Sequence, residues 1–115
     1  MAANETWYFT LSFGQISNGT ADLKFTFTIP TGASIQWGCA GTVVGTAGTL
    51  EDCPFVTSSG STAAISGTAS ATHFIVNGVV VNGATTGNLQ FQWAQNTATV
   101  VDTKVLTNSY LEAHK

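Results

Sequence analysis

The chain has 115 residues, 43% of them hydrophobic and only 8% charged, where about 25% is usual for a soluble domain. Its formal net charge is −3 and its only cations are Lys24, Lys104 and Lys115, so no basic stripe can be built to neutralise phosphates. Nucleic-acid binding and attachment to anionic membranes are both excluded on that ground. The length suits one domain, residues 1–115, with a single core. No run is apolar and long enough to span a bilayer. Met1–Glu5 has neither the basic region nor the apolar core of a signal peptide, which predicts synthesis in a cytoplasm.

In chain order, the first periodic segment is Thr6 to Gly14. Trp7, Phe9, Leu11 and Phe13 alternate with Thr6, Tyr8, Thr10 and Ser12, a period of two that predicts a half-buried strand. Gln15 to Ala21 reads as a turn, with Asn18-Gly19 supplying the residues that tolerate positive φ. The triplet Asn18-Gly19-Thr20 matches a glycosylation acceptor but is read here as part of that turn. Asp22 to Ile29 forms the second strand, with Leu23, Phe25, Phe27 and Ile29 inward. These two strands are expected to make an antiparallel hairpin.

Pro30-Thr31-Gly32 ends the second strand. A short third strand follows at Ser34–Cys39, with Ile35 and Trp37 on its apolar side. From Gly41 to Gly67 the alternation fades into Gly, Thr, Ser and Ala, with β-branched islands at Val43-Val44, Phe55-Val56 and Ile65. Long loops between short strands are expected there. Thr72 to Asn82 reads either as a tight hairpin closed by Asn77-Gly78 or as one long strand with Gly78 at a bulge or close backbone approach. The single strand is preferred. Gln95–Ala98 reads as a turn, Thr99–Val101 and Lys104–Leu111 as closing strands, and residues 112–115 as an exposed tail.

The most regular stretch is Gly87–Asn96. Leu89, Phe91 and Trp93 point one way; Gln90, Gln92 and Ala94 point the other. An outer face of amides without charge suits contact with another protein surface, where each amide can find a partner. It also suits a plain solvated strand. Trp93, beside Leu89 and Phe91, fits the core as well as it fits an interface.

No segment has helical period. Many short strands with Gly- and Asn-rich turns predict an all-β, two-sheet antiparallel sandwich or a barrel. The residues for catalysis are thin: two His, six acids, no nucleophile elbow and no phosphate-cradling loop. No enzyme activity, metal or cofactor is expected from that inventory. The adjacent acids Glu51 and Asp52 read as a solvated loop tip. His73 reads as a structural strand residue. Cys39 and Cys53 could pair across a hairpin, but in a reducing compartment two small buried thiols are the expectation.

Three stretches together carry a resemblance: Asp22-Leu23-Lys24 through Ile29-Pro30-Thr31-Gly32-Ala33 with Trp37, then Gly87–Asn96 with its Trp-Ala-Gln-Asn run, then Asn108–Ala113. In that order they resemble the globular head domain of tailed-phage and prophage virion proteins, which is similar to the tumour-necrosis-factor-like and complement-type jelly roll. The resemblance covers about Trp7 to Ala113. It implies a two-sheet jelly roll that assembles as a homotrimer without catalysis. A fibre head would follow a shaft, whereas here the head begins almost at Met1. That departure points to a stand-alone capsid cement, or decoration, protein on the virion surface, whose partners are itself and the major capsid protein. By the same analogy the first, focal and last strands supply the trimer contacts, with Tyr8, Gln92, Trp93, Tyr110 and Leu111 as candidates.

Two other readings stand beside it. One is a receptor- or glycan-binding fibre head, with Trp37 near the Gly41–Ser61 region as a sugar platform. The other is a secreted cytokine-like ligand, which the missing signal peptide disfavours.

Overall fold

The computed structural model describes residues 1–42, 50–52 and 55–115. Among the described residues nine strands are formed: β1 (Thr6–Ile16), β2 (Leu23–Thr28), β3 (Ser34–Thr42), β4 (Leu50–Asp52), β5 (Ala63–Ile65), β6 (Thr72–Val81), β7 (Gln90–Gln95), β8 (Lys104–Val105) and β9 (Tyr110–His114). They build two antiparallel sheets. The larger runs β4-β3-β6-β1, with β8 and β9 both paired to the free side of β1; the smaller runs β5-β2-β7.

The alternation read along the chain places the core. Phe9, Leu11 and Phe13 of β1, Ile35 and Trp37 of β3, and Phe74, Val76 and Val80 of β6 form the inner face of the larger sheet. Leu23, Phe25 and Phe27 of β2 with Ala63 and Ile65 of β5 form the facing one. Aromatic rings join the two layers, with centroids 5.0 Å apart for Phe9–Phe27, 5.6 Å for Phe13–Phe25 and 5.2 Å for Phe25–Trp37. These are separations at which tilted and edge-on ring pairs gain beyond their buried area.

The expected β1–β2 hairpin is not formed. The two strands lie in different sheets, face to face. Each carries a wholly apolar row, and stacking the rows hides both, whereas a side-by-side pair would leave both open on one face. The crossing turn is held by Asn18, whose Oδ1 accepts from Ala21 N at 2.6 Å and Thr20 N at 3.0 Å. Its left-handed residue is Asp22 (φ 50°), not Asn18 or Gly19. The Asp22 carboxylate in turn accepts from Gly67 N at 2.8 Å.

Thr72–Val81 is one strand, paired with β1 on one side and β3 on the other. Gly78 sits opposite both Phe9 and Trp37, and a Cβ there would run into the Phe9 ring and the Gln36 carbonyl. The glycine therefore marks a close approach within a continuous strand. Among the described residues the region after Gly41 holds short pieces, as expected: β4, β5 and a bridge from Val56 to Trp37. Val43-Val44 lies outside the described residues. Glu51 and Asp52 are on β4, opposite Gly41 and Ala40, so they do not form a loop tip.

Cys39 is disulfide-bonded, which corrects the expectation of a free thiol. It stands one residue before Ala40, whose ladder partner is Asp52; Cys53 lies outside the described residues. At the far end, residues 112–114 are part of β9, not a tail, and pair with Tyr8, Phe9 and Thr10 of β1. Their side chains are exposed, so the burial alternation that signals a strand was missing from this stretch. Thr99–Val101 forms no strand.

One buried polar group was invisible to periodicity. Gln15 and Ser17 are fully buried where the chain leaves β1. Gln15 Nε2 donates to Thr72 Oγ1 at 2.6 Å and Ser17 Oγ donates to Gln15 Oε1 at 2.8 Å.

Two substitutions test this packing. Gly78→Val is expected to destabilise the domain by about 1–3 kcal/mol through overpacking against Phe9. Gln15→Ala is expected to cost about 1–3 kcal/mol by stranding the Thr72 and Ser17 hydroxyls. Denaturant titration reads both, and an unchanged midpoint would refute the packing role of the residue concerned.

Candidate association surface

The two sheets differ in width, and the difference makes the site. β1 is covered by β2 and β7, as the Phe13–Phe91 centroid distance of 5.5 Å records. β7 is the last strand of the smaller sheet, whereas the larger sheet continues past β1 into β8 and β9. β9 thus overhangs. Leu111 pairs with Leu11, and Ala113 with Phe9. Residues opposite one another share a face, yet Leu11 is 3% exposed and Leu111 39%. Nothing in the described chain covers the inner side of β9. Between this overhang and the start of β7 lies a cleft of about 500 Å³, walled by Met1, Trp7, Leu89, Gln90, Leu111 and Ala113.

The five candidate contact residues gather along this flank but do not share one face. Tyr8 and Tyr110, both about half exposed, lie on the outer face of the larger sheet. Leu111 lies on its inner face, in the cleft. Trp93 is opposite Phe25 on the inner side of the smaller sheet, and being on its last strand it remains 43% exposed. Gln92, opposite Thr26, is on the outer side. Gln92, Trp93, Lys24, Thr26 and Thr62 also border a shallow depression of about 200 Å³. Trp37, the sugar-platform candidate, is 1% exposed and belongs to the core, which removes it from any binding role.

The segment joining β7 to β8 forms no strand, and its contribution to this flank lies outside what periodicity signals. It passes from the smaller sheet to the larger across the same flank. The Gln95 side chain braces it, accepting from Thr99 N at 3.0 Å and donating to Val101 O at 2.6 Å. Asn96 N and Thr97 N donate to Ala21 O at 3.1 and 2.9 Å. The held loop displays Val100 with its side chain wholly free (102% exposed) and Val101 half exposed. A sequence signal existed in two adjacent β-branched residues in an otherwise polar turn.

One wall of the cleft is fixed by charge. The Glu5 carboxylate pairs with Lys115 Nζ and accepts from Trp7 Nε1 at 2.8 Å and Ala2 N at 2.9 Å. Lys115 Nζ lies 5.6 Å from the Trp7 ring centroid, within cation–π range. The Lys115 bond first, then those from Trp7 and Ala2, hold the Glu5 carboxyl down at about 2.

Elsewhere on the outer face of the larger sheet, Ser12 Oγ and His73 Nε2 are 2.8 Å apart, and Thr10 Oγ1 donates to Asn77 Oδ1 at 2.9 Å. These cross-strand pairs place His73 as a strand residue among hydroxyls and amides. Among the described residues no three His, Cys, Asp or Glu side chains gather as a metal site would need. No helix among them is long and apolar enough to cross a membrane.

Comparison of the chain with known protein families, with curated proteins and with solved structures gives no match.

The Glu5 cluster has a pH signature. A carboxyl held below its ordinary value stabilises the fold fully above about 4.5 and ceases to do so as pH falls through about 2. The stability advantage of the native chain over Glu5→Gln is therefore expected to be constant above pH 5 and to shrink between pH 4.5 and 2. Urea titrations across that range check it; a difference that does not vary with pH would refute the cluster's role.

Proposed function

We propose that this chain is a non-enzymatic structural head domain, a jelly roll of the tailed-phage virion type, which assembles as a homotrimer and cements the major capsid protein lattice. The observation that carries the reading is the uncovered flank. Leu111, Trp93, Tyr8, Tyr110, Val100 and Val101 are all exposed along it, on a molecule in which only 8% of residues are charged. Large apolar side chains left exposed on neighbouring strands of a folded domain support a contact surface. Low charge supports the same reading, since many identical copies can then crowd on a shell without mutual repulsion. Cementing needs no chemistry: each trimer adds buried area across neighbouring shell subunits and so opposes their separation.

A second reading has its own observation. The depression borders Trp93 at the edge of the sheet and gathers Gln92, Thr26, Thr62 and Lys24, polar groups suited to bonding the hydroxyls of a sugar. That favours a glycan-binding fibre head. Abundance separates the two, because a cement protein coats the shell in many copies whereas a fibre head is present in few.

The trimer is tested by sedimentation of the native protein and of Tyr110→Asp. The native chain is expected at three times its monomer mass. The variant is expected as monomer, because an unpaired charge buried at a contact costs about 3–5 kcal/mol. A native monomer would refute the reading, and an unaltered variant trimer would remove Tyr110 from the contact. Binding to purified capsid shells, with a glycan array alongside, decides between cement and fibre head.

A further inference from the structure

We propose that the turn between β1 and β2 is a self-modifying site. The Asn18 side-chain amide is lost as ammonia through a cyclic imide closed by the Gly19 backbone nitrogen, and a carboxylate is left at the turn. The reaction is independent of any self-association.

An asparagine followed by glycine is open to this chemistry because glycine places no Cβ beside its own nitrogen. The chain has three such pairs, Asn18-Gly19, Asn77-Gly78 and Asn82-Gly83, and the fold treats them differently. Asn77 lies inside β6, laddered on both sides, with its Oδ1 accepting from Thr10 Oγ1 at 2.9 Å. Asn82 is 3% exposed; its Nδ2 donates to Ala2 O at 2.6 Å and its backbone N to Glu5 O at 2.8 Å. Gly83 is pressed against the Gly32 carbonyl. Both of these pairs are locked in place and can react only when the structure around them opens.

Asn18-Gly19 is built the other way. Thr20 N and Ala21 N donate to Asn18 Oδ1 at 3.0 and 2.6 Å, which folds the side chain forward over Gly19. Gly19 is exposed to water, and its own N–H donates to no acceptor among the described residues. The amide carbon is thus held beside a free backbone nitrogen, the arrangement that makes an intramolecular attack efficient. As the nitrogen attacks, negative charge develops on Oδ1, where the two N–H groups already point and stabilise it. The N–Cγ bond forms, the Cγ–Nδ2 bond breaks, and the Gly19 amide proton leaves with Nδ2 as ammonia. Water then restores the N–H. Its hydroxyl adds at Cγ to give aspartate, or at the Asn18 main-chain carbonyl carbon to give isoaspartate, breaking the bond from that carbon to nitrogen. Water is the only other reactant. Either product adds one negative charge to a chain whose formal charge is −3. Aspartate keeps an oxygen for both N–H donors. Isoaspartate lengthens the main chain by one carbon where Gly67 packs too closely on Asn18 O to carry even a Cβ, which strains the turn.

The native protein is incubated at mildly alkaline pH, in buffer and in denaturing urea. Each Asn-Gly site is followed by peptide mass spectrometry, with isoaspartate methyltransferase labelling to mark the rearranged product. In buffer, conversion at Asn18 is expected to be about tenfold or more faster than at Asn77 or Asn82, which must wait for local opening. In urea the three rates are expected to converge, Asn77 and Asn82 speeding up and Asn18 slowing as its two donors are lost. Gly19→Ala, which places a methyl group beside the attacking nitrogen, is expected to slow conversion at Asn18 several-fold. An Asn18 that converts no faster than Asn77 in buffer, or faster in urea than in buffer, overturns the proposal, because the turn then shields the amide. An undiminished rate in Gly19→Ala overturns the assignment of the Gly19 nitrogen as the attacking group.

Discussion

Two rows of aromatic side chains lie face to face at the centre of this domain, and the rest of the structure follows from the need to keep them covered. Phe9 and Phe13 of β1 meet Phe25, Phe27 and Phe91 across the gap between the sheets, and Trp37 closes one end against Phe25 and Phe27. Rings of this size set the spacing of the layers and leave no room for a side chain at Gly78, where Phe9 lies flat against the strand. They also impose the crossing from β1 to β2 over the Asn18 turn. A pair of strands that each carry an aromatic row is better hidden by stacking than by lying edge to edge.

Polar side chains take over work that ion pairs do elsewhere. The only ion pairs among the described residues are Glu5–Lys115 and Asp102–Lys104. Cross-strand order on the exposed faces comes instead from hydroxyl–amide and hydroxyl–imidazole contacts such as Thr10–Asn77, Ser12–His73 and Thr28–Gln90. Such bonds give register without creating a field around the molecule. The surface is therefore polar yet nearly neutral, which is the condition for dense packing of identical copies.

Alternation made the long strands legible. β1, β2 and β7 were readable from period two, together with the inward position of Phe9, Phe13, Phe25, Phe27 and Phe91, and β6 as one strand with Gly78 at a close backbone approach. Partnership was not readable, because a strand's pattern tells which face is apolar and not which neighbour it bonds. That is why β1 and β2 looked like a hairpin. Trp37 and Trp93 show the same limit at the level of a single side chain. Both occupy inward positions, but Trp37 is sealed because a strand lies opposite, and Trp93 is open because the smaller sheet ends there. The width of a sheet is a property of the whole chain, so the overhang of β9 and the cleft beneath it left no local trace. The strand character of Glu112–His114 escaped because its side chains are all exposed and show no alternation.

The ladder around β1 bears on how the molecule is made. Among the described residues its hydrogen-bonded neighbours are β6, β8 and β9, all drawn from Thr72 onward. β1 thus has no described sheet partner until the chain has been made as far as Thr72. Contacts this distant in sequence slow folding, and Trp7, Phe9, Leu11 and Phe13 stay bare in the meantime. Until then the apolar row of Thr6–Ile16 is an unpaired strand edge of the kind that makes incompletely folded chains prone to aggregate.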